Sequence, residues 1–140
     1  MKEYENFLNL AVIWKDEHML ELEVTVSNNG YSGVARGYDT GEHLQILAKQ
    51  LEGFPKDDQS IFYKIGTSLL QGHLSISFCP ITPSGLIGVK VYLEREGSID
   101  CQNSKVSLEL LVEPSSIDIF QKYLNTLAAN QQGIAKLIAR

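Results

Sequence analysis

The sequence predicts an α+β domain: a mainly antiparallel sheet of about six to seven strands with two helices packed on one face, in the order βββα-ββββα. Polar–apolar alternation recurs in short segments, most cleanly where Leu20, Leu22, Val24 and Val26 interleave with Glu21, Glu23, Thr25 and Ser27. Asn29-Gly30 follows at once, a strong hairpin signal, because a type I′ turn needs positive φ at both central residues. Two later stretches keep a helical beat instead: Leu44, Leu47, Ala48 and Leu51, then Ile117, Phe120, Leu124, Leu127 and Ala128.

The elements follow in order. Leu8, Leu10, Val12 and Trp14 alternate with Asn9, Ala11 and Ile13, which suits a strand with two partly buried faces. Lys15-Asp16-Glu17 is a polar turn into the second strand. A two-residue turn at Asn29-Gly30 sets Asn28 opposite Tyr31, Val26 opposite Gly33, Val24 opposite Ala35 and Leu22 opposite Gly37. Large residues facing Gly33, Ala35 and Gly37 leave a trough that a helix could fill. The same register pairs Glu23 with Arg36.

The first helix begins near Asp39, with Glu42 at capping-box spacing. It ends at Gly53 and Pro55. Lys56 to Ser60 is a polar loop, and Ile61 to Ile65 a short strand. Leu74, Ile76 and Phe78 alternate with His73, Ser75, Ser77 and Cys79. A type I turn at Thr82-Pro83-Ser84-Gly85 leads to a strand with Ile87, Val89, Val91 and Leu93 on one face. Glu96 to Lys105 is loop-like. Val106, Leu108, Leu110 and Val112 make the last strand, and Pro114 opens the second helix. Gly133 ends or kinks it, leaving a flexible or helical tail over 130–140 with Ile134, Leu137 and Ile138 as an amphipathic edge. The helices share a beat, which is compatible with a duplicated strand–helix unit without establishing one.

The chain of 140 residues suits a single domain, 1–140. Net charge is −5, from 17 acidic and 12 basic residues. This disfavours nucleic acid, which needs clustered Lys and Arg, and favours a basic protein partner. No apolar run approaches a membrane span, and the N-terminus is acidic where a signal peptide is basic. With two isolated cysteines, Cys79 and Cys101, the expectation is a cytoplasmic protein with reduced thiols. Homo-oligomer formation is left open.

Asp39-Thr40-Gly41 is the tripeptide that carries the catalytic carboxylate of aspartic proteases. There it lies in a loop leading to a strand, whereas here a helical stripe starts at Leu44. The expectation is a helix cap at the positive end of the dipole, not a protease. His18, His43 and His73 fall in separate elements without metal-ligand spacing. No Gly-rich phosphate loop occurs, and the paired carboxylates read as solvated faces. No catalytic residue, cofactor or metal site is therefore expected, and the chain reads as a non-enzymatic binding protein. The candidate partner-binding surface is the wet sheet face, with Glu21, Glu23, Arg36, Tyr38, Lys90, Tyr92, Glu94 and Glu109. The alternatives are a ligand site or enzyme, in the trough over Gly33, Ala35 and Gly37 or near His73 and Cys79, and a structural subunit of a larger assembly.

Several local marks carry a resemblance. They are Trp14 and Asp16, Gly30-Tyr31-x-Gly33, Tyr38-Asp39-Thr40 with Leu44 and Leu51, and Gly53-Phe54-Pro55. Later come Gly85-Leu86-Ile87-x-Val89-x-Val91-x-Leu93 and Val112-Glu113-Pro114 with Phe120 and Leu124. Together they resemble a group of small bacterial proteins that includes immunity proteins of polymorphic or wall-associated toxins and uncharacterised relatives. The resemblance implies stoichiometric binding to a cognate toxin and carries over no catalytic residue.

Overall fold

The computed structural model describes residues 4–66, 73–95 and 104–140. The strands are β1 (Phe7–Lys15), β2 (Leu20–Asn28), β3 (Tyr31–Asp39), β4 (Ile61–Ile65), β5 (His73–Pro80), β6 (Ile87–Arg95), β7 (Ser104–Val112) and β8 (Gly133–Ile138). The helices are α1 (Gly41–Leu51) and α2 (Pro114–Asn130). The class and element order are as the sequence predicts. The strands form two four-stranded antiparallel sheets, ordered β3-β2-β1-β8 and β4-β5-β6-β7, rather than one larger sheet. Most of the stretch Glu96 to Lys105 lies outside the described residues, as does Cys101.

The hairpin register holds as the turn dictates: Asn29 and Gly30 have φ of 53° and 88°, and Val26, Val24 and Leu22 face Gly33, Ala35 and Gly37. What fills the trough over those small residues is the second sheet, not a helix. A Cβ on Gly33 would stand 2.9 Å from both methyls of Val106, and one on Gly37 would stand 2.9 Å from Ile65. The sheets thus meet inner face to inner face where β3 carries its smallest residues. The helices lie side by side, Gln121 Nε2 donating to the Ala48 carbonyl at 3.1 Å. Their stripes of Leu44, Leu47 and Leu51 and of Ile117, Phe120 and Leu124 join both inner faces in one core.

The C-terminal segment is a strand where the sequence suggested a helical tail. Gln131, left-handed at φ 53°, stops α2, and Gly133 at φ 99° turns the chain back. Ala135 and Leu137 then bury against Leu10 and Leu8 of β1, while Ile134, Lys136 and Ile138 face out. Ile134, Leu137 and Ile138 also fit helical spacing, which is why the pattern misleads. Past β8, the Arg140 amide donates to the Leu111 carbonyl of β7 at 2.9 Å, linking the two sheets at a corner.

The topology is a duplication with a displaced strand. The meander β1-β2-β3 leading into α1 repeats as β5-β6-β7 leading into α2. Core positions match strand by strand: Leu8 and Leu10 with Leu74 and Ile76, Leu22 and Val24 with Val89 and Val91, Leu44, Leu47 and Leu51 with Ile117, Phe120 and Leu124. β4 flanks β5 in one half, and β8, from the other end of the chain, takes the equivalent place beside β1.

Gly33→Ala is expected to destabilise the protein by about 1–3 kcal/mol, because the rigid, β-branched Val106 cannot yield without moving its strand. Adding Val106→Ala should recover much of that loss, a favourable coupling in a double-mutant cycle read by urea unfolding.

Candidate functional site

Asp39, at the end of β3, is the only charged residue among the described residues with a buried side chain, 7% exposed. It stands one residue before the cap it was expected to make. Thr40 is the N-cap of α1, its Oγ1 accepting from the His43 amide at 3.2 Å. The third helical residue is therefore His43, and Glu42 completes no capping box. Asp39 collects other donors. Its carboxylate accepts from the Thr40 amide at 2.8 Å and from the Tyr63 hydroxyl, and both oxygens lie 2.9 Å from His43 Nδ1. An ionised carboxylate only accepts, so the Nδ1–H tautomer is the one this geometry matches. The His43 ring stacks on Tyr63 at 5.1 Å. Burial, then the charge of Asp39 and the hydrogen bond to it, push the Tyr63 phenol well above its ordinary value.

This trio has no counterpart in the other half. The equivalent positions carry Val112, Ser116 and Ala135. There the fold closes without a buried charge, so the trio is an addition that ties β4 to the start of α1.

The outer sheet faces are a second candidate. The eight residues expected on one wet face divide between two. Glu21, Glu23, Arg36 and Tyr38 lie on the outer face of the first sheet, and Lys90, Tyr92, Glu94 and Glu109 on that of the second. Since the inner faces meet in the core, these two groups point away from each other. On the second sheet the polar groups engage one another: Tyr92 donates to Glu94 at 2.9 Å, His73 Nδ1 lies 3.4 Å from the same carboxylate, and Lys90 stands opposite Glu109. The hydrogen bond to Glu94, above all, raises the Tyr92 phenol.

The first sheet differs. Its outer residues stand in rows across the strands: Ile138, Phe7, Ser27 and Ser32; Lys136, Asn9, Thr25 and Val34; Ile134, Ala11, Glu23 and Arg36; then Trp14, Glu21 and Tyr38. Glu23 accepts from Arg36 Nε at 3.0 Å, and Lys136 reaches Glu5 at 2.6 Å. Exposed apolar groups remain, with Ile134 at 60%, Trp14 at 48% and Tyr38 at 43%. Asn9 Oδ1 is buried without a donor among the described residues.

Sequence reasoning missed Trp14, Asn9, Ile134 and Ile138 on this face. It aligned Trp14 with Leu8, Leu10 and Val12, but a bulge between Val12 and Trp14 turns the indole outward, opposite Glu21.

The other sequence candidates stay apart. His18 sits in an exposed turn in which its amide donates to Asp16 at 2.8 Å, and such backbone bonds hold the Asp16 carboxyl below its usual range. Cys79 is a free, half-buried thiol. Among the described residues no group of His, Cys, Asp and Glu could hold a metal ion. The trough retains only about 160 Å³ at its rim, between Gly33, Leu93 and Val106, below the usual size of a ligand pocket. No helix among the described residues is long and apolar enough to cross a membrane.

These features define an α+β protein of two antiparallel sheets with a buried Asp39–Tyr63 pair joined by the part-exposed His43, and an exposed, partly apolar outer face. The chain matches no family model, and no curated protein or solved structure is significantly similar to it.

Tyr63→Phe should cost about 1–3 kcal/mol, since it leaves a buried carboxylate short of a donor. In an alkaline titration followed by phenolate absorbance, Tyr63 should stay protonated until the protein unfolds. Its folded pKa is raised, so its contribution is intact below the ordinary value of 10.0 and falls as pH climbs toward the folded value.

Proposed function

We propose that this chain is a non-enzymatic binding protein that docks a protein partner through the outer face of its first sheet. The observation that carries this reading is that face itself. Ile134, Ile138, Trp14 and Tyr38 are exposed together on strands whose outer side no described helix covers. Apolar and aromatic groups of this kind supply most of the binding energy in protein interfaces.

The partner is a basic protein. A net charge of −5 favours fast association with one, the resemblance to toxin-immunity proteins supports a cognate toxin as its identity, and the two isolated cysteines support the cytoplasm as the place of action. The second sheet's outer face is the weaker candidate, because its Tyr92, Glu94 and His73 already satisfy one another.

Tagged protein should capture one basic partner from the native host, released by high salt. Ile134→Asp and Ile138→Asp should weaken capture about tenfold or more, with thermal stability little changed because both side chains are exposed. Equal capture by these variants and the parent protein would refute this face. Self-association of the parent chain, lost in the same variants, would favour the structural-subunit reading instead.

A further inference from the structure

Trp14, Glu21 and Tyr38 stand directly opposite one another across three adjacent strands, Trp14 on β1, Glu21 on β2 and Tyr38 on β3. Directly paired residues share a sheet face, so all three side chains leave the same side. Trp14 and Tyr38 are two strands apart, about 10 Å between backbones. Their ring centroids are nonetheless 6.3 Å apart, edge to face at 89°. The rings therefore lean together over the strand that carries Glu21. Both rings are exposed, and among the described residues no Lys, Arg or His lies within ion-pair distance of Glu21. The next row shows the alternative, where Glu23 is neutralised by Arg36.

We propose that Trp14, Tyr38 and Glu21 form a receptor for one cationic side chain, a lysine ammonium or arginine guanidinium, presented by the protein partner. The proposal rests on the docking reading above and names its anchor. A cation seated here gains the negative π-face of one or both rings and the unneutralised carboxylate beside them. Arginine is the better fit, because its planar guanidinium stacks on a ring while its N–H groups reach a carboxylate. The position also suits an anchor. The neighbouring row carries Ile134 and Ala11 at one end and the Glu23–Arg36 pair at the other, so a partner packed on the apolar end brings its cation into a setting partly shielded from water, while Arg36 is already engaged by Glu23.

Trp14 is the only tryptophan, so its emission reports the site directly. The parent protein is titrated with a short, capped arginine-rich peptide and, separately, with its glutamine counterpart. The expected result is a saturable change in Trp14 emission with the first peptide only. Glu21→Gln should weaken it about tenfold. Glu109→Gln, an equal change of charge on the opposite face, should weaken it far less. No saturable change, or equal loss in the two variants, overturns the site.

Capture from host extract separates the two readings. A partner lost by Ile134→Asp but retained by Glu21→Gln and by Trp14→Ala overturns the cation receptor and leaves the docking face standing. A partner retained by all three variants overturns both. Loss with Glu21→Gln, at an unfolding midpoint equal to the parent's, supports the receptor.

Discussion

The close approach of β3 to the second sheet is the contact on which the rest of the molecule depends. Face-packed sheets ordinarily sit about 10 Å apart, a gap filled by side chains from both sides. Here one side contributes almost nothing at Gly33 and Gly37, and Val106, Ile65 and Leu74 occupy the space. The large residues of β2, facing those glycines across the hairpin, then bury toward the helices and the rest of the core. With the inner faces committed to each other, the outer faces are left to solvent or to a partner. The trough that looked like a ligand site is the seam that holds the halves together.

The repeated strand–helix plan sets the Asp39 trio apart. Two copies of one strand–helix plan supply an internal control. Where one half buries Asp39 with Tyr63 beneath the part-exposed His43, the other has Val112, Ala135 and Ser116, and buries Val112 and Ala135 completely. A buried carboxylate is costly to desolvate and gains little over a well-packed apolar group. Stability alone is thus a poor reason for it. Its clear structural effect is specificity of position: three donors converge on one carboxylate and hold the end of β3, the start of α1 and the middle of β4 in a single arrangement.

Much of the fold was legible because its signals are local. The period-2 segments, the turn at Asn29-Gly30, the stop at Gly53 and the Pro114 start each depend on residues close in sequence, and each appears where expected. The Glu23–Arg36 pair followed from the turn alone. What escaped depends on contacts distant in sequence. Alternation cannot say whether seven or eight strands form one sheet or two, since each sheet shows one dry and one wet face either way. The tail Gly133 to Ile138 fits a helix as well as a strand until β1 offers its edge. Trp14 was misplaced because a bulge is a property of the pairing and leaves no mark on the alternation of one strand. Asp39 was expected to cap α1, but the neighbouring threonine takes the cap, and Tyr63, on a different strand, could not be foreseen as its partner.

The two outer faces show why one is the better candidate for recognition. They have similar composition, with Glu, Lys and Tyr on both, so charge alone does not separate them. Completeness does. On the second sheet the Tyr92 hydroxyl and His73 both turn to Glu94, and Lys90 stands opposite Glu109. On the first sheet Glu21 has no counter-ion among the described residues, and the exposed rings of Trp14 and Tyr38 meet above the strand between them. A surface whose polar groups satisfy one another gains little by exchanging water for a partner, because each pair must first be broken or desolvated. A surface with an unmatched charge and exposed aromatic area gains on both counts from one contact, and the bulge that turns Trp14 outward creates that imbalance.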